Sequence, residues 1–286
     1  MSGAALAASA MGSEETKAGA EWKAAINETL VAEGYVRVGD KQMVGLLCAV
    51  YVLQDHESHI GRESVEIKVV GCGLAGMAGN KGGVSVRFTM YGTELTFVNT
   101  HFAAHEGAAA KRNQDYESVA KALLPELILH DGNKPTMPFT IRPPPGPLFW
   151  FGDLNYRIPL GFDAVHAAID GGDLAILAAA EELTAERAGR RAFGGFAESA
   201  LVFQPTYKFR VGTSEYDRRA GSRKGKRRTP AWCDRVLWAG LGVRPLLERA
   251  DCKHPLGYTS HPAVTASDHK PVTHCLLVST NSPATM

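Results

Sequence analysis

An acid and an amide, Asp153 and Asn155, stand two positions apart directly after the apolar segment 147–150. Side chains two positions apart on a strand point to the same face, so both groups would reach the same side. A carboxylate there can activate a water molecule, and an amide can hold that water or a phosphate oxygen beside it. The pair predicts a hydrolytic site at a strand end. An Asx turn followed by a solvated Arg157 would produce the same pattern without chemistry.

Histidines and further acids mark the ends of other predicted strands. His101 closes one apolar strand, Asp234 enters another, and Asp268 and His269 precede the last one. A histidine at such a position can donate to a phosphate oxygen or carry a proton. Adjacent residues face opposite ways on a strand, so Asp268 and His269 need separate partners, and His269 oriented by Asp234 is one such assembly. The alternatives are a structural histidine, a buried Asp–Arg pair and a polar turn.

Positive charge is concentrated in one segment of an almost neutral chain. The chain carries 31 basic and 30 acidic residues, a net charge of +1. Residues 208–228 nevertheless hold nine lysines and arginines against two acids. Phosphate groups, nucleic acid or an anionic lipid surface are the expected partners of such a segment, and a solvated loop is the alternative. Lys81, in the glycine-rich loop 71–83, adds a cation beside backbone N–H groups that could cradle an anion.

The pattern of apolar residues predicts a mixed α/β fold in a chain of 286 residues. Strands are predicted at 43–53, 84–90, 94–102, 147–156 and 231–238, and helices at 14–33, 113–129 and 162–191. Strands alternating with helices predict an α/β sandwich of sheets covered by helices. The five cysteines include no CxxC pair, which favours free thiols in a reducing compartment.

The domain organisation follows from composition. We expect a disordered tail over residues 1–13, one domain over 14–279 and a short tail over 280–286. Residues 131–147 are rich in proline, and we expect them to form a loop insertion without regular structure.

Six segments occur in a characteristic order over about residues 22–277: NKGGVSVRF, FVNTHFAAH followed by KRNQDY, WFGDLNYRI, PTYKF, RTPAWCDRVLW and SDHKPV. Together they resemble the catalytic domain of the inositol polyphosphate 5-phosphatases, which belong to the DNase I-like endonuclease/exonuclease/phosphatase superfamily. WFGDLNYR and PAWCDR separate this family from nucleases of the same fold.

This resemblance implies a four-layered α/β sandwich with a Mg²⁺-dependent site at one edge of its sheets. The implied reaction removes the 5-phosphate from a phosphoinositide or a soluble inositol polyphosphate. By matching motif, Asp153 would activate the attacking water and Asn155 would orient it. His101 and His269 would contact the scissile phosphate, and Asp234 would pair with His269.

The resemblance also implies substrate, metal and membrane contacts. Asp268 would support the metal side of the site. The implied ligands of the other ring phosphates are Asn80, Lys81, Tyr207, Lys208, Lys226 and Arg228. The implied protein is a cytoplasmic monomer that contacts anionic membranes peripherally and binds no nucleic acid.

One departure from the family pattern concerns the N-terminal part of the domain. Family members begin with a strand that carries an Asn and a strand that ends in Gln-Glu, both upstream of the helix matching residues 22–30. The Glu is the principal metal ligand. We therefore expect an N-terminally incomplete domain that lacks these strands and this ligand. A phosphoinositide-binding fragment with impaired catalysis is the alternative function, while local rather than groove-wide basic charge disfavours a nuclease.

Overall fold

The structure is a computed structural model that describes residues 16–43, 45–72, 81–131, 134–135, 139–219, 227–247 and 257–280. The helices are α1 (Lys17–Ala32), α2 (Ala109–Leu123), α3 (Phe162–Asp170), α4 (Leu174–Ala180) and α5 (Glu182–Ala188). The strands are β1 (Tyr35–Met43), β2 (Leu46–Leu53), β3 (Ile60–Gly71), β4 (Gly82–Met90), β5 (Thr93–His101), β6 (His130–Asp131), β7 (Lys134–Pro135), β8 (Leu148–Asp153), β9 (Asp234–Ala239), β10 (Val243–Pro245), β11 (Tyr258–Ser260), β12 (Val272–His274) and β13 (Leu276–Val278). Within these ranges, no helix is long and apolar enough to cross a membrane.

A five-stranded sheet in the order β3–β4–β5–β8–β9 forms the centre of the molecule. β5 and β8 run parallel, and the other neighbours are antiparallel. The predicted hairpin of β4 and β5 is confirmed. Its two linking residues, Tyr91 and Gly92, have φ values of 51° and 70°. Positive φ at both positions matches the twist of the flanking strands.

Helices and further strands cover both faces of the central sheet. On one face, Tyr116 of α2 packs 5.2 Å from Trp150 of β8, measured between ring centroids. On the other face, Cys48 of β2 and Val86 of β4 share a buried apolar cluster. α1 contacts β1 on the outer side of the β1–β2 hairpin. The layers therefore run helix, sheet, sheet, helix, which confirms the predicted α/β sandwich.

The apolar run 43–53 is wrongly predicted as a strand buried on both faces. β1 ends at Met43, and within β2 only Leu46, Cys48 and Val50 are buried, while the residues between them are partly exposed. α1 covers the outer face of the β1–β2 hairpin only in part, so the outward-facing apolar residues of β2 stay partly exposed.

The described part of the proline-rich segment 131–147 is packed against the core, and its regular structure is limited to the two-residue strands β6 and β7 and one bridge at Ile141. Phe139 and Ile141 are buried, and Ile141 pairs with Ile128 in an antiparallel bridge. These two apolar side chains anchor the segment beside α2, because burying large apolar side chains contributes favourable free energy even where the backbone is irregular.

The charged pair that enters β9 is divided between the two faces of the sheet. Asp234 faces the β2 side, while Arg235 is fully buried on the helical side. Arg235 Nε lies 2.6 Å from Glu198 Oε1, and its Nη1 lies 2.9 Å from Glu181 Oε1. The alternative of a buried Asp–Arg pair is wrong, because neighbours on a strand face opposite ways.

Replacing Arg235 by Met would leave the two buried carboxylates without this cation. We expect the Arg235→Met variant to lose about 3–5 kcal/mol of unfolding free energy, since an uncompensated buried charge is costly. Urea denaturation followed by circular dichroism measures this. The matched control, Arg244→Met on an exposed position of β10, should change stability by less than about 0.5 kcal/mol. Equal effects of the two substitutions would contradict a structural role for the Arg235 network.

Candidate active site

The ends of three neighbouring strands carry predicted catalytic residues side by side. β5 ends at His101, β8 ends at Asp153, and β9 begins at Asp234. The register pairs Asp153 with His101 on one side and with Asp234 on the other. His269 extends the row, since its Nδ1 lies 2.9 Å from Asp234 Oδ2. These four residues line one open pocket of about 470 Å³.

One wall of this pocket is formed by the start of β2, which the sequence did not predict. Gly45, Leu46 and Leu47 line the pocket together with Asn99. Asn99 Nδ2 donates a hydrogen bond of 2.9 Å to the Leu47 carbonyl and so ties β2 to the central sheet. Apolar residues at a strand start carry no chemical signal in a sequence, so only the packing identifies this wall.

Gly152 allows β5 and β8 to approach closely just before the catalytic row. Its φ is +127°, and a Cβ at this position would lie 2.2 Å from the Thr100 carbonyl oxygen and 2.5 Å from Asn99 Oδ1. Only glycine adopts this backbone conformation without strain. Gly152 therefore helps to set the position of Asp153 against His101.

Asn155 does not reach the pocket, contrary to the prediction that it shares a face with Asp153. β8 ends at Asp153, and Asn155 has a φ of +57°, which breaks the alternation of a strand. The side chain is 2% exposed. Its Nδ2 donates to the Phe102 carbonyl at 3.1 Å, and its Oδ1 accepts from Arg157. Its backbone N–H donates to Asp153 Oδ1 at 3.1 Å and so helps to position the acid.

Asp153 lies in a positive environment that keeps it ionised. His101 Nε2 lies 3.1 Å from Asp153 Oδ2, and the Lys81 ammonium lies against the same imidazole nitrogen. Burial raises the pKa of Asp153, but the hydrogen bond of His101 and the charges of His269 and Lys81 outweigh burial and lower the pKa below its ordinary value. A carboxylate in this state can accept a proton or bind a cation at neutral pH.

Asp234 favours the charged form of His269. Burial lowers the pKa of His269, but its hydrogen bond to Asp234 and the nearby carboxylates reverse this effect, so the net pKa lies above the ordinary value of 6.5. Thr206 Oγ1 also donates to Asp234 Oδ2 at 2.7 Å and fixes the carboxylate. The ring of Tyr207 lies 4.7 Å from that of His269. His269 is thus a fixed donor that faces the pocket.

Arg157 connects the turn that holds Asp153 to the segment that supports His269. It is 7% exposed, so the alternative of a solvated arginine is wrong. Its Nε donates to the Asn155 carbonyl at 3.0 Å, and its guanidinium carbon lies 4.7 Å from the centroid of the Tyr207 ring. A planar guanidinium can donate to the turn and stack on the ring at the same time. Arg157 therefore positions groups on both sides of the pocket.

The predicted KRNQDY segment fixes the loop that follows His101. Asp115 Oδ2 accepts a hydrogen bond of 2.9 Å from the backbone N–H of Ala103. The fully buried Arg112 donates to the carbonyls of Ala103 and His105 at 3.1 and 2.9 Å. α2 thereby holds the end of β5 in place by charge-assisted hydrogen bonds.

Four of the six predicted phosphate ligands fall within the described ranges, while Asn80 and Lys226 lie outside the described residues. Lys81 and Tyr207 contact His101 and His269, respectively. The other two lie further out. Lys208 Nζ is 3.7 Å from Asp268 Oδ2, and Arg228 Nη1 is 3.3 Å from His105 Nδ1.

Several arginines of the basic segment are paired with acids, some of them distant in sequence. Arg218 donates to Asp170 at 2.6 Å, and Arg227 donates to Asp163 at 2.9 Å. Arg219 is paired with its neighbour Asp217. Asp163 and Asp170 lie outside residues 208–228, so the local positive potential is lower than the charge count of that segment suggests.

Asp153 and Asp234 could offer oxygens to a divalent cation. The described residues contain no group of three or more His, Cys, Asp or Glu side chains arranged to hold a metal. Asp268, the predicted metal-side residue, contacts Lys208 and does not line the pocket. Mg²⁺ commonly keeps several waters and binds through one or two carboxylates plus substrate phosphates. Asp153 and Asp234 fit such an ion but not an all-protein cage.

Comparison with known proteins identifies the family. Residues 4–275 match the Endonuclease/Exonuclease/phosphatase family 2. The chain belongs to this family. It is 37% identical over 255 residues to the type II inositol 1,4,5-trisphosphate 5-phosphatase of Mus musculus, a match that covers 88% of this chain and 23% of that protein. It is 35% identical over 242 residues to the type I inositol polyphosphate 5-phosphatase 8 of Arabidopsis thaliana, covering 84% and 46%.

Solved structures support the same assignment. The inositol polyphosphate 5-phosphatase domain of SPsynaptojanin, in complex with inositol (1,4)-bisphosphate and calcium, is 29% identical with a TM-score of 0.73. The match covers 94% of this chain and 72% of that domain. The resemblance stated from the six motifs is thereby confirmed. A mutant of Cimex nitrophorin, solved as a ferrous NO complex, is 23% identical with a TM-score of 0.64 and shares the fold alone.

The link through Arg157 predicts a specific kinetic defect. We expect the Arg157→Met variant to lose about 10²-fold in kcat, because small misplacements of reacting groups have effects of that size. Arg157→Lys should recover part of the lost kcat, since lysine keeps the positive charge but lacks the planar guanidinium group. The control is Arg142→Met at an exposed position. Thermal unfolding checks that each variant is folded, and a folded Arg157→Met with unchanged kcat would contradict the positioning role.

The Asp234 contact predicts the protonation of His269. In the Asp234→Asn variant the hydrogen bond can persist while the negative charge is lost. We therefore expect the pKa of His269 to fall, since burial then acts with less opposition. NMR of the imidazole ¹⁵N nuclei over a pH series measures this directly. An unchanged titration would show that Asp234 does not stabilise the imidazolium.

Proposed function

We propose that this protein is a Mg²⁺-dependent phosphomonoester hydrolase that removes the 5-phosphate from phosphoinositides or soluble inositol polyphosphates. The observation that carries the proposal is the row of His101, Asp153, Asp234 and His269 in one pocket. The row combines a carboxyl group of lowered pKa with an imidazole of raised pKa in the same pocket. The named activities of the relatives support the same substrate class. Since the chain spans less than half the length of these relatives, the activity itself is part of the proposal.

The proposed reaction is attack of a water oxygen on phosphorus. A bond forms between that oxygen and phosphorus as the bond to the inositol oxygen breaks. Asp153 takes the proton of the water, which its ionised state allows. The inositol oxygen leaves with the bonding electron pair and takes up a proton, for which the His269 imidazolium is the donor. His101 donates a hydrogen bond to a phosphoryl oxygen as negative charge develops, while the remaining N–H of His269 contacts the phosphate ester at its leaving oxygen.

The proposed metal would supply charge neutralisation at the transferred phosphoryl group. Asp153 and Asp234 are the residues that would hold it, together with substrate oxygens and water. Lys81, Tyr207, Lys208 and Arg228 would hold ring phosphates that are not cleaved, with Asn80 and Lys226 as further ligands. Binding energy from these remote phosphates orients the reacting one.

The proposed biological setting is the cytoplasmic face of an anionic membrane. The protein would act as a peripheral monomer whose catalytic domain spans residues 14–279. The positive excess of the segment 208–228 supports contact with anionic lipid.

Removing the charge of Asp153 tests the reaction. We expect Asp153→Asn to lower kcat by about 10²- to 10⁴-fold, the usual contribution of a general base. Phosphate release from a 5-phosphorylated inositol lipid, with and without Mg²⁺, measures this. The matched control is Asp163→Asn, at a side chain that is 82% exposed. An active Asp153→Asn enzyme would refute the assignment of the base.

A phosphoinositide-binding module with impaired catalysis is the second candidate. The observation that favours it is the lack of a three-ligand metal group among the described residues. A Mg²⁺ titration of residues 1–286 separates the two candidates. Turnover that rises with Mg²⁺ excludes the inert module, whereas headgroup binding without turnover at any Mg²⁺ concentration supports it.

A further inference from the structure

Two adjacent glutamates at the start of α5 bind different buried arginines. Glu181 Oε1 lies 2.9 Å from Arg235 Nη1, which belongs to the network on the helical side of β9. The Glu181 carboxylate also accepts two backbone N–H groups of the first helical turn and so caps α5. Glu182 Oε2 instead accepts a hydrogen bond of 2.5 Å from Arg112 of α2. The two neighbours therefore stabilise different parts of the fold.

One carboxylate oxygen of Glu182 joins two segments that flank the candidate active site. Besides the bond from Arg112, Glu182 Oε2 accepts a bond of 2.8 Å from the backbone N–H of Arg157. The backbone N–H of Glu182 also donates to the Arg157 carbonyl at 2.9 Å. Glu182 thus binds both backbone groups of residue 157. These bonds fix the chain directly after the turn that positions Asp153.

Arg112 extends this constraint to the other side of the pocket. Its side chain is fully buried and donates to the carbonyls of Ala103 and His105, which lie two and four positions beyond His101. Among the residues that the structure describes, Glu182 is the only acid hydrogen-bonded to Arg112. A buried charge without a compensating partner is strongly unfavourable. The bonds from Arg112 to the loop after β5 therefore depend on Glu182.

The two segments that Glu182 joins continue directly from His101 and from Asp153. The contact between these two residues, 3.1 Å from Nε2 to Oδ2, is the one that their relative position controls. Burial raises the pKa of Asp153, and the hydrogen bond from His101 is the largest of the effects that lower it. Movement of one segment against the other would lengthen this contact, even if the backbone ladder of β5 and β8 stays intact.

We propose that Glu182 is a positioning residue for the contact between His101 and Asp153. It does not line the pocket. It acts by tying the loop after β5 to the turn after β8 through one carboxylate oxygen. The positioning stands on these contacts alone, while its effect on turnover rests on the proposed function.

The same substitution at two adjacent positions separates positioning from stability. The test variant is Glu182→Gln and the matched control is Glu181→Gln. Each removes the carboxylate charge next to one buried arginine, Arg112 or Arg235. A stronger variant, Glu182→Met, also removes both hydrogen bonds to the side chain. For each full-length chain we would measure thermal unfolding, kcat on a soluble inositol polyphosphate, and the imidazole ¹⁵N signals of His101.

We expect both glutamine variants to unfold at a lower temperature, because each leaves a buried arginine with less compensating charge. Only Glu182→Gln should lower kcat, by about tenfold, and shift the His101 signals. Glu182→Met should lose about 10²-fold in kcat, since small misplacements of reacting groups have effects of that size. Glutamine keeps an oxygen that can accept both bonds, so the variant Glu182→Gln retains part of the rate.

Equal kcat losses in the two glutamine variants would overturn the proposal, because a purely structural role predicts that result. Unchanged His101 signals in Glu182→Gln would overturn it as well. If Glu182→Met does not fold, the comparison of the two glutamine variants decides. If the unmodified chain hydrolyses no inositol phosphate, the proposed function fails, and the His101 signals alone decide the positioning role.

Discussion

The pairing of β5, β8 and β9 is the constraint on which the candidate active site depends. Because β5 and β8 run parallel and β9 antiparallel, two strand ends and one strand start meet at the same edge of the sheet. The backbone ladder, rather than any loop, therefore sets the spacing of His101, Asp153 and Asp234. A site built on rigid strands holds its groups more precisely than one built on loops.

Buried charged residues around this row hold its side chains in position and shift their pKa values. Arg157 joins the Asn155 turn to Tyr207, and Asp115 holds the chain after His101. These interactions fix side chains whose charges then shift each other's pKa, lowering the pKa of Asp153 and raising that of His269.

The sequence places each member of the row at the end or start of an apolar strand, but an Asx turn, a structural histidine or a polar turn explains each residue taken alone. The ordered set of six motifs is what favours a shared site. The sequence predicts Asn155 poorly, since the positive φ of this residue depends on hydrogen bonds to Phe102 and Arg157 that lie outside any local pattern. The partners of Arg235 and of the basic segment also escape prediction. Their acids are distant in the chain, and only the folded structure brings them into contact.

The most direct test of the central claim is a double-mutant cycle on kcat with Asp153→Asn and His269→Gln. If both side chains act on one phosphate in one pocket, either substitution alone should remove most of the rate that both remove together. Losses that multiply, so that the double variant shows the product of the two single effects, would contradict the account and indicate that the two residues act independently.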